Sequence, residues 1–157
     1  GLADSKMLSA EDGERLNDVI QKRALAWSVC FVEPAEIDTL NIHRASLEAM
    51  RRAVLAIAPL PDAVLVDAFR IPDLHIAQRG VLHGDRRCAA IAAASIVAKV
   101  SRDPQMMAEH TNDPRYGYDR HKGYATAEHR AAVERFGYSP LHRRSFKPQG
   151  SLFDRID

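Results

Sequence analysis

The sequence lacks long hydrophobic runs, and none of its segments approaches the roughly 18 apolar residues that a membrane-spanning helix needs. Its first nine residues, GLADSKMLS, also lack the basic and apolar regions of a secretory signal peptide. No internal repeat is present in the sequence. We therefore expect a cytoplasmic protein that makes no membrane contact.

Cysteine is scarce, and the two that occur, Cys30 and Cys88, are far apart in the sequence. Neither belongs to a Cys-x-x-Cys pair, and His121 and His129 do not have a recognised zinc-ligand spacing. This pattern favours buried reduced thiols and surface histidines with satisfied hydrogen bonds over a structural zinc site.

An excess of charge is absent as well, because 22 Lys and Arg residues face 21 Asp and Glu residues. The distribution is nevertheless uneven: between Arg115 and Lys147 there are eight basic and three acidic residues. A basic C-terminal third beside an acidic pocket is the charge layout that a phosphodiester-cleaving enzyme needs. The length and an apolar fraction of 46% predict a single globular domain over residues 1–157.

The first third of the chain shows helical and strand-like patterns in turn. Ser9, followed by acidic residues, is a helix N-cap signal, and the apolar spacing after it predicts a helix over residues 10–23. Alternating polarity predicts a half-buried strand over residues 26–32. An apolar stripe predicts an amphipathic helix over residues 41–57, which Pro59 ends.

Two aspartates follow two candidate strands, a buried one over residues 63–66 and a weaker one over residues 76–82. Asp67 lies at the end of the first strand and Asp85 comes shortly after the second. Ligands of α/β proteins bind where the carboxyl ends of strands open, so these two carboxylates could hold a cation. A helix cap or a salt bridge is the more common use of a single strand-end aspartate, and Asp85 could cap the next helix.

That next helix is predicted over residues 88–100, and it is apolar on nearly all sides, which favours full burial. Pro104 should end or kink it. Asn-Asp-Pro at residues 112–114 predicts a turn. Thr126 is a candidate N-cap for a last helix, which would run to about Phe136.

A polar loop dense in basic residues and tyrosines is predicted over residues 118–124. Arg120 and Lys122 could contact phosphates, while a tyrosine ring could stack on a sugar or a base. A solvated basic loop whose tyrosines cover the edge of a core is an equal alternative. Lys122 lacks the neighbours of a phosphate-binding P-loop, which disfavours nucleotide hydrolysis of that type.

Six short blocks occur in one order along the chain and together resemble bacterial ribonuclease HII. They are DSKxLS at 4–9, EIDxLNI at 36–42, VLVD at 64–67, GD at 84–85 with AAASIVAKVSRD at 92–103, HKGYATxEH at 121–129 and HRRSF at 142–146. Each block alone is a weak signal, but their order makes the resemblance specific. It covers nearly the whole chain, from Gly1 to about Pro148.

The resemblance implies an α/β fold of the RNase H-like type, with a mixed sheet flanked by helices, in a monomeric endonuclease. Such an enzyme cuts the RNA strand of RNA–DNA hybrids and the strand 5′ to a single ribonucleotide in duplex DNA, using Mg²⁺ or Mn²⁺ and four carboxylates. Asp67 and Asp85 match the third and fourth of these carboxylates, as catalytic residues and metal ligands.

The resemblance also implies which residues bind the nucleic acid. Tyr124 matches a tyrosine that packs against the ribose carrying the 2′-hydroxyl. The backbone phosphates would be contacted from the regions of Lys6, Lys122, Arg143 and Arg144.

The chain departs from the family at its start. The first two carboxylates of the family form an Asp-Glu pair on an N-terminal strand, followed by a Gly-Arg-Gly turn, whereas this chain begins at the block that contains Lys6. We therefore expect the opening strands to be missing and cleavage by this chain alone to be weak or absent. Milder departures are Arg86 and Arg87 after Asp85, and Ala68 where glycine is common.

Two other hypotheses remain beside an active nuclease. The basic residues 115–147 favour a catalytically inactive fragment that binds duplexes. An unrelated metal-dependent hydrolase on an α/β scaffold would also use two strand-end aspartates, but it does not account for the six ordered blocks.

Overall fold

The computed structural model describes residues 8–146. They form two compact units, residues 8–31 with 46–105 and residues 32–45 with 106–146, and each is described by itself. The elements in chain order are α1 (Ala10–Arg23), α2 (Pro34–Leu40), α3 (Ile42–Leu55), β1 (Ala63–Asp67), β2 (Ala77–Val81), α4 (Gly84–Arg87), α5 (Ala89–Asn112), a 3₁₀ helix (Pro114–Tyr116), α6 (Tyr118–His121) and α7 (Ala127–Phe136).

The two strands of the first unit pair in parallel, with Asp67 opposite Val81. Both strands were predicted from the sequence, and both predictions are confirmed. The expectation that the first strand is buried on both faces is wrong for the described residues. Val66 is 4% exposed, whereas Leu65 is 47% exposed, because successive side chains of a strand point to opposite faces.

A small apolar core lies beside this sheet. Its buried members are Leu47 of α3, Val66 of β1, and Ile71 and Leu74 of the connection between the strands. Gln78 closes that connection, since its side-chain amide donates to the carbonyl of Ile71 and accepts from the Ile71 N–H. Gln78, a polar residue that weakened the prediction of a strand here, therefore holds the preceding loop in place.

Three helices follow their sequence signals closely. α1 begins after Ser9, whose hydroxyl accepts a hydrogen bond from the Asp12 N–H. α7 begins after Thr126, which accepts from the His129 N–H, and it ends at Gly137. α3 matches the predicted amphipathic helix to within two residues at its C-terminal end. These starts and ends are local, which is why the sequence predicts them.

The strand predicted over residues 26–32 is wrong, because these residues have no regular secondary structure. Alternating polarity cannot make a strand without a hydrogen-bonding partner, and the described residues supply none. Trp27 and Phe31 are 48% and 46% exposed as a result. α2 was missed, although Pro34 at its first position is a recognised helix-start signal.

α5 is longer than predicted, since it continues through Pro104 to Asn112. Proline removes one N–H from the ladder and crowds the preceding turn, at a typical cost of about 3 kcal/mol, but it leaves the neighbouring hydrogen bonds available. The expectation of burial on all sides is also wrong. One stripe is buried, at Ile91, Ala92, Ile96 and Val97, while the alanines at 89, 90, 94 and 98 are exposed.

None of the helices in the described part of the chain is both long and apolar enough to cross a lipid bilayer.

Candidate metal site and nucleic-acid contacts

Asp67 is the last residue of β1, and the chain after β2 returns to its carboxylate. The N–H of Gly84 donates to Asp67 Oδ1 over 2.8 Å. Parallel strands open at the same edge of a sheet, so the residue that follows, Asp85, leaves β2 at the edge where β1 ends. The structure thus brings the two predicted aspartates to one end of the sheet.

Glycine at position 84 is favoured by this close approach. A Cβ atom there would lie 2.5 Å from Cδ1 of Ile91 and 3.3 Å from Oδ1 of Asp67. Gly84 is itself buried. The Gly-Asp pair of the sequence therefore consists of one residue that holds Asp67 and one that carries the second carboxylate.

Asp85 lies in the first turn of the four-residue helix α4. It does not cap the following helix, as one alternative from the sequence required, because α5 begins at Ala89 and Cys88 separates it from α4. Asp85 is half-buried, and its carboxylate accepts no hydrogen bond within residues 8–146. Its carboxylate is therefore not used by the local structure.

The two carboxylates provide part of the ligand set of a divalent cation. Oδ1 of Asp67 is occupied by the Gly84 N–H, while Oδ2 makes no hydrogen bond within the described residues. Mg²⁺ and Mn²⁺ prefer such carboxylate oxygens. Across residues 8–146, however, no group of three or more His, Cys, Asp or Glu side chains is arranged to hold a metal ion. These residues fit half of a metal site.

Tyr124, the predicted ribose contact, belongs to the second unit and has a side chain that is 62% exposed. Its backbone is held on both sides. The Tyr124 N–H donates to the carbonyl of His121, and the Tyr124 carbonyl accepts from the Thr126 N–H, each over 2.8 Å. The ring is thus presented to solvent from a fixed backbone, which suits a contact with a ligand.

Lys122, a predicted phosphate contact, is partly engaged in local contacts. Its ammonium donates to the carbonyl of Asp119 and to Sδ of Met107, the latter over 2.8 Å. Its backbone is in the left-handed region, with φ of 48°, at the end of α6. A phosphate contact would use the remaining N–H or replace one of these two bonds.

The segment with Arg143 and Arg144 is anchored by a residue that was not predicted to matter, Asp38 of α2. The Asp38 carboxylate accepts from the backbone N–H of Arg144 over 2.9 Å and of Ser145 over 2.8 Å. The Arg143 guanidinium lies 4.0 Å from the centre of the Phe146 ring. Hydrogen bonds from Ser145 hold the pKa of Asp38 below its usual value. Lys6 lies outside the described residues.

Part of the positive charge counted in the sequence is compensated within this unit. Arg115 pairs with Asp113 at 2.7 Å, and Arg120 pairs with Glu128. The predicted loop over residues 118–124 is in part helical, in α6, and Tyr118 is buried. Two of the basic side chains counted in the sequence are therefore paired with acidic side chains inside this unit.

The surface histidines expected from the sequence are not at the surface. His121 is 7% exposed, and its Nε2–H donates to the carbonyl of Tyr116 over 2.8 Å. His129 is half-buried and stacks on His121, with ring centres 4.5 Å apart. Their hydrogen bonds are satisfied, as expected, but by backbone carbonyls inside the unit.

Comparison with known proteins shows to which family the chain belongs. The family model described as Ribonuclease HII matches residues 1–149. A ribonuclease HII of Dechloromonas aromatica is 50% identical over 94% of this chain and 76% of its own length. One of Anaeromyxobacter sp. is 49% identical over 98% of this chain, and one of Ralstonia nicotianae is 50% identical over the same share. This chain spans 52% and 66% of those two relatives.

A solved structure, the crystal structure of the ribonuclease H2 from Pyrococcus horikoshii OT3, has a similar fold. The match has a TM-score of 0.73 at 21% identity, and it covers 94% of this chain and 77% of that chain. It confirms the predicted α/β fold, while the sheet of the described residues has two parallel strands. The family model over almost the full length and the relatives at about half identity lead to one conclusion: this chain belongs to the ribonuclease HII family.

Proposed function

We propose that the chain is the catalytic part of a metal-dependent endonuclease that cuts the RNA strand of RNA–DNA hybrids and cuts 5′ to single ribonucleotides in duplex DNA. The observation that carries this proposal is the hydrogen bond from the Gly84 N–H to Asp67, which draws the two strand-end aspartates to one edge of the sheet. Membership of the ribonuclease HII family is the basis for the type of reaction that we propose.

Asp67 and Asp85 are proposed as metal ligands for Mg²⁺ or Mn²⁺. Gly84 fixes the orientation of Asp67 and leaves its Oδ2 for the cation. Divalent cations bound there would supply Lewis-acid stabilisation of the charge that develops on the oxygens of a phosphodiester during hydrolysis. Two protein carboxylates rarely hold two such ions. We therefore propose that further carboxylates complete the metal site, namely those of the Asp-Glu strand that the family resemblance implies.

Tyr124, Arg143, Arg144, Lys122 and Lys6 are proposed as the nucleic-acid contacts. An exposed tyrosine ring can pack against a ribose, and a basic segment can bind phosphates without reading the base sequence. Tyr124 and the Arg143–Arg144 segment are both on anchored backbones, which favours a defined position for each contact. We also propose that the chain acts as one domain, as a monomer and in the cytoplasm.

The test is cleavage of three labelled duplexes, an RNA–DNA hybrid, a DNA duplex with one ribonucleotide, and an all-DNA duplex. We expect weak or no cleavage by the 157-residue chain. Cleavage of the first two duplexes should appear when the chain is preceded by the N-terminal segment of the Dechloromonas aromatica relative. In that extended protein Asp67→Asn and Asp85→Asn should each abolish cleavage, whereas Asp62→Asn, an exposed aspartate at the other end of β1, should not. Strong cleavage by Asp67→Asn would falsify the assignment.

A second function, a duplex-binding fragment without catalysis, is favoured by the basic segment around Arg143 and by the two-carboxylate site. Binding of this kind releases counterions from the phosphates, so its affinity should fall steeply as salt rises. Affinity for a hybrid measured between about 50 and 200 mM salt tests it. A flat salt dependence would exclude this function.

A further inference from the structure

His129 of α7 and His142 face each other in the second unit, with their Nε2 atoms 3.0 Å apart. Neither residue has a role in the proposed reaction. The titratable rings packed around the pair are those of Tyr116, Tyr118, His121 and Tyr138. Glu128, which precedes His129 in the chain, is paired with Arg120.

The hydrogen bonds of this pair have a fixed direction, which begins at Ser139. The backbone N–H of Ser139 can only donate, and it donates to Nδ1 of His142 over 2.9 Å. Nδ1 of His142 therefore carries no proton, and the proton of the neutral ring is on Nε2. Since that atom faces His129, the Nε2–H of His142 donates to Nε2 of His129.

The hydrogen bonds continue in the same direction from His129 to Tyr124. Because Nε2 of His129 accepts, the proton of the neutral His129 ring is on Nδ1. That atom lies 3.0 Å from the backbone carbonyl of Tyr124, which can only accept. One continuous chain of hydrogen bonds thus runs from the Ser139 N–H through His142 and His129 to the Tyr124 carbonyl.

This chain of hydrogen bonds includes one proposed substrate contact, Tyr124, and a direct neighbour of the other, His142. Tyr124 carries the exposed ring, and His142 is followed directly by Arg143 and Arg144. His142 lies thirteen positions after His129 in the sequence. The histidine pair is therefore a direct link between the proposed ribose contact and the proposed phosphate contacts.

We propose that His129 and His142 are positioning residues that fix the distance between the Tyr124 ring and the Arg143–Arg144 segment, and so set the preference for a duplex that contains a ribonucleotide. The inference rests on the proposed function, because it takes Tyr124 as the ribose contact. The histidines themselves need not touch the substrate. They act by holding the backbone on either side of it.

A proton added to either ring changes the arrangement. On His142 it would place Nδ1–H against the Ser139 N–H, and this Nδ1–H would turn to the Ser139 hydroxyl, which lies 2.7 Å away. On His129 it would place Nε2–H against the Nε2–H of His142. Burial lowers the pKa of both histidines, which favours the neutral rings that the hydrogen bonds require. The surroundings therefore agree with the direction deduced from the backbone groups.

The first test is independent of the function. Long-range ¹H–¹⁵N spectra of the imidazole rings in the full chain report which ring nitrogen is protonated. We expect His129 to be protonated at Nδ1 and His142 at Nε2, near neutral pH. Protonation of His129 at Nε2 would overturn the proposal, whatever the protein binds.

The second test measures the ratio of affinities for a DNA duplex with one ribonucleotide and for an all-DNA duplex, by fluorescence anisotropy. His129→Asn keeps a donor near the place of Nδ1 but loses the bond to His142, whereas His129→Gln places its amide near Nε2 and loses the bond to the Tyr124 carbonyl. Each variant breaks the link and should lower the ratio by about 5-fold, the loss of one hydrogen bond. His75→Asn, at an exposed histidine, is the control and should retain the ratio.

Tyr124→Ala separates the two proposals. If it leaves the ratio unchanged, Tyr124 is not the ribose contact and the proposed function fails at that residue, while the ring spectra still test the hydrogen-bond chain. If Tyr124→Ala removes the preference and His129→Gln retains it, the positioning role is wrong. Loss of preference in Tyr124→Ala and in both His129 variants, with retention in His75→Asn, supports it.

Discussion

The carboxylate of Asp38 accepts hydrogen bonds from both the backbone N–H and the hydroxyl of Ser145, which lies 107 residues further along the chain. A third bond comes from the Arg144 N–H. Three donors converge on one carboxylate, and this lowers its pKa. Asp38 thereby determines the backbone position of the segment that we propose as a phosphate contact.

Replacing Asp38 by Ala should weaken binding to duplex DNA, because the Arg143–Arg144 segment loses its anchor. The measurement is affinity against salt concentration, and we expect a shallower slope than for the unchanged chain. Glu33→Gln is the control, since Glu33 is exposed and its side chain makes no capping hydrogen bond in α2. Equal slopes for Asp38→Ala and the unchanged chain would show that the anchor does not serve binding.

Gly80 and Gly13 should respond in opposite directions to replacement by Ala. At Gly80 a Cβ would lie 2.8 Å from the carbonyl oxygen of Ala68, so we expect destabilisation of about 1–3 kcal/mol. At Gly13, inside α1, it would lie 3.6 Å from the Val100 side chain, and alanine should stabilise by about 0.5–1 kcal/mol. Urea unfolding of the two variants measures both effects, and a stabilised Gly80→Ala variant would contradict the packing of β2.

Ala68, which lies where the resemblance to the family led us to expect glycine, has a φ of 60°. A left-handed conformation costs an L-residue roughly 1–2 kcal/mol, whereas glycine adopts it freely. Glycine also loses more chain entropy on folding, so Ala68→Gly should stabilise the protein by about 1 kcal/mol or less. A clear decrease in the free energy of unfolding would show that this backbone conformation is not maintained.

The paired histidines predict a pH dependence of stability. The pKa of His129 and of His142 is lowered in the folded state by burial, so the unfolded chain binds more protons just below its own pKa of about 6.5. The free energy of unfolding should therefore fall as pH drops below about 6.5, until the folded-state pKa is passed. Denaturant titrations from pH 8 to pH 5 measure it.

The control for that pH window is a protein with both His129→Asn and His142→Asn. It should lose most of the difference in stability between neutral and mildly acidic pH. A fall of the same size in this variant would assign the pH dependence to other groups.

The sequence predicts those parts of the fold and site that depend on near neighbours. Ser9 and Thr126 cap the helices that they were expected to cap, and Asp67 ends the strand that it was expected to end. For the two caps the determining contact lies three residues away, so a local pattern carries the information.

Features that depend on distant contacts were missed or predicted wrongly. The strand expected over residues 26–32 has no partner among the described residues, which a pattern of alternating polarity cannot reveal. Asp38 contacts Ser145, which is 107 residues away in the sequence, and His129 contacts His142, which is 13 residues away. His121 was predicted to be a surface residue, but its ring donates a hydrogen bond to a backbone carbonyl inside the unit. No sequence pattern indicates a bond of this kind.

The central claim, that Asp67 and Asp85 act together at one cation site, is tested most directly by titrating Mn²⁺ into the ¹⁵N-labelled chain and following paramagnetic broadening of its amides. The amides of Asp67, Gly84 and Asp85 should broaden first as Mn²⁺ is added, because carboxylate oxygens are ligands that suit this ion. Asp67→Asn and Asp85→Asn should each remove that broadening, and Asp62→Asn should not. Broadening that begins elsewhere, or that persists in both Asp67→Asn and Asp85→Asn, would contradict the account.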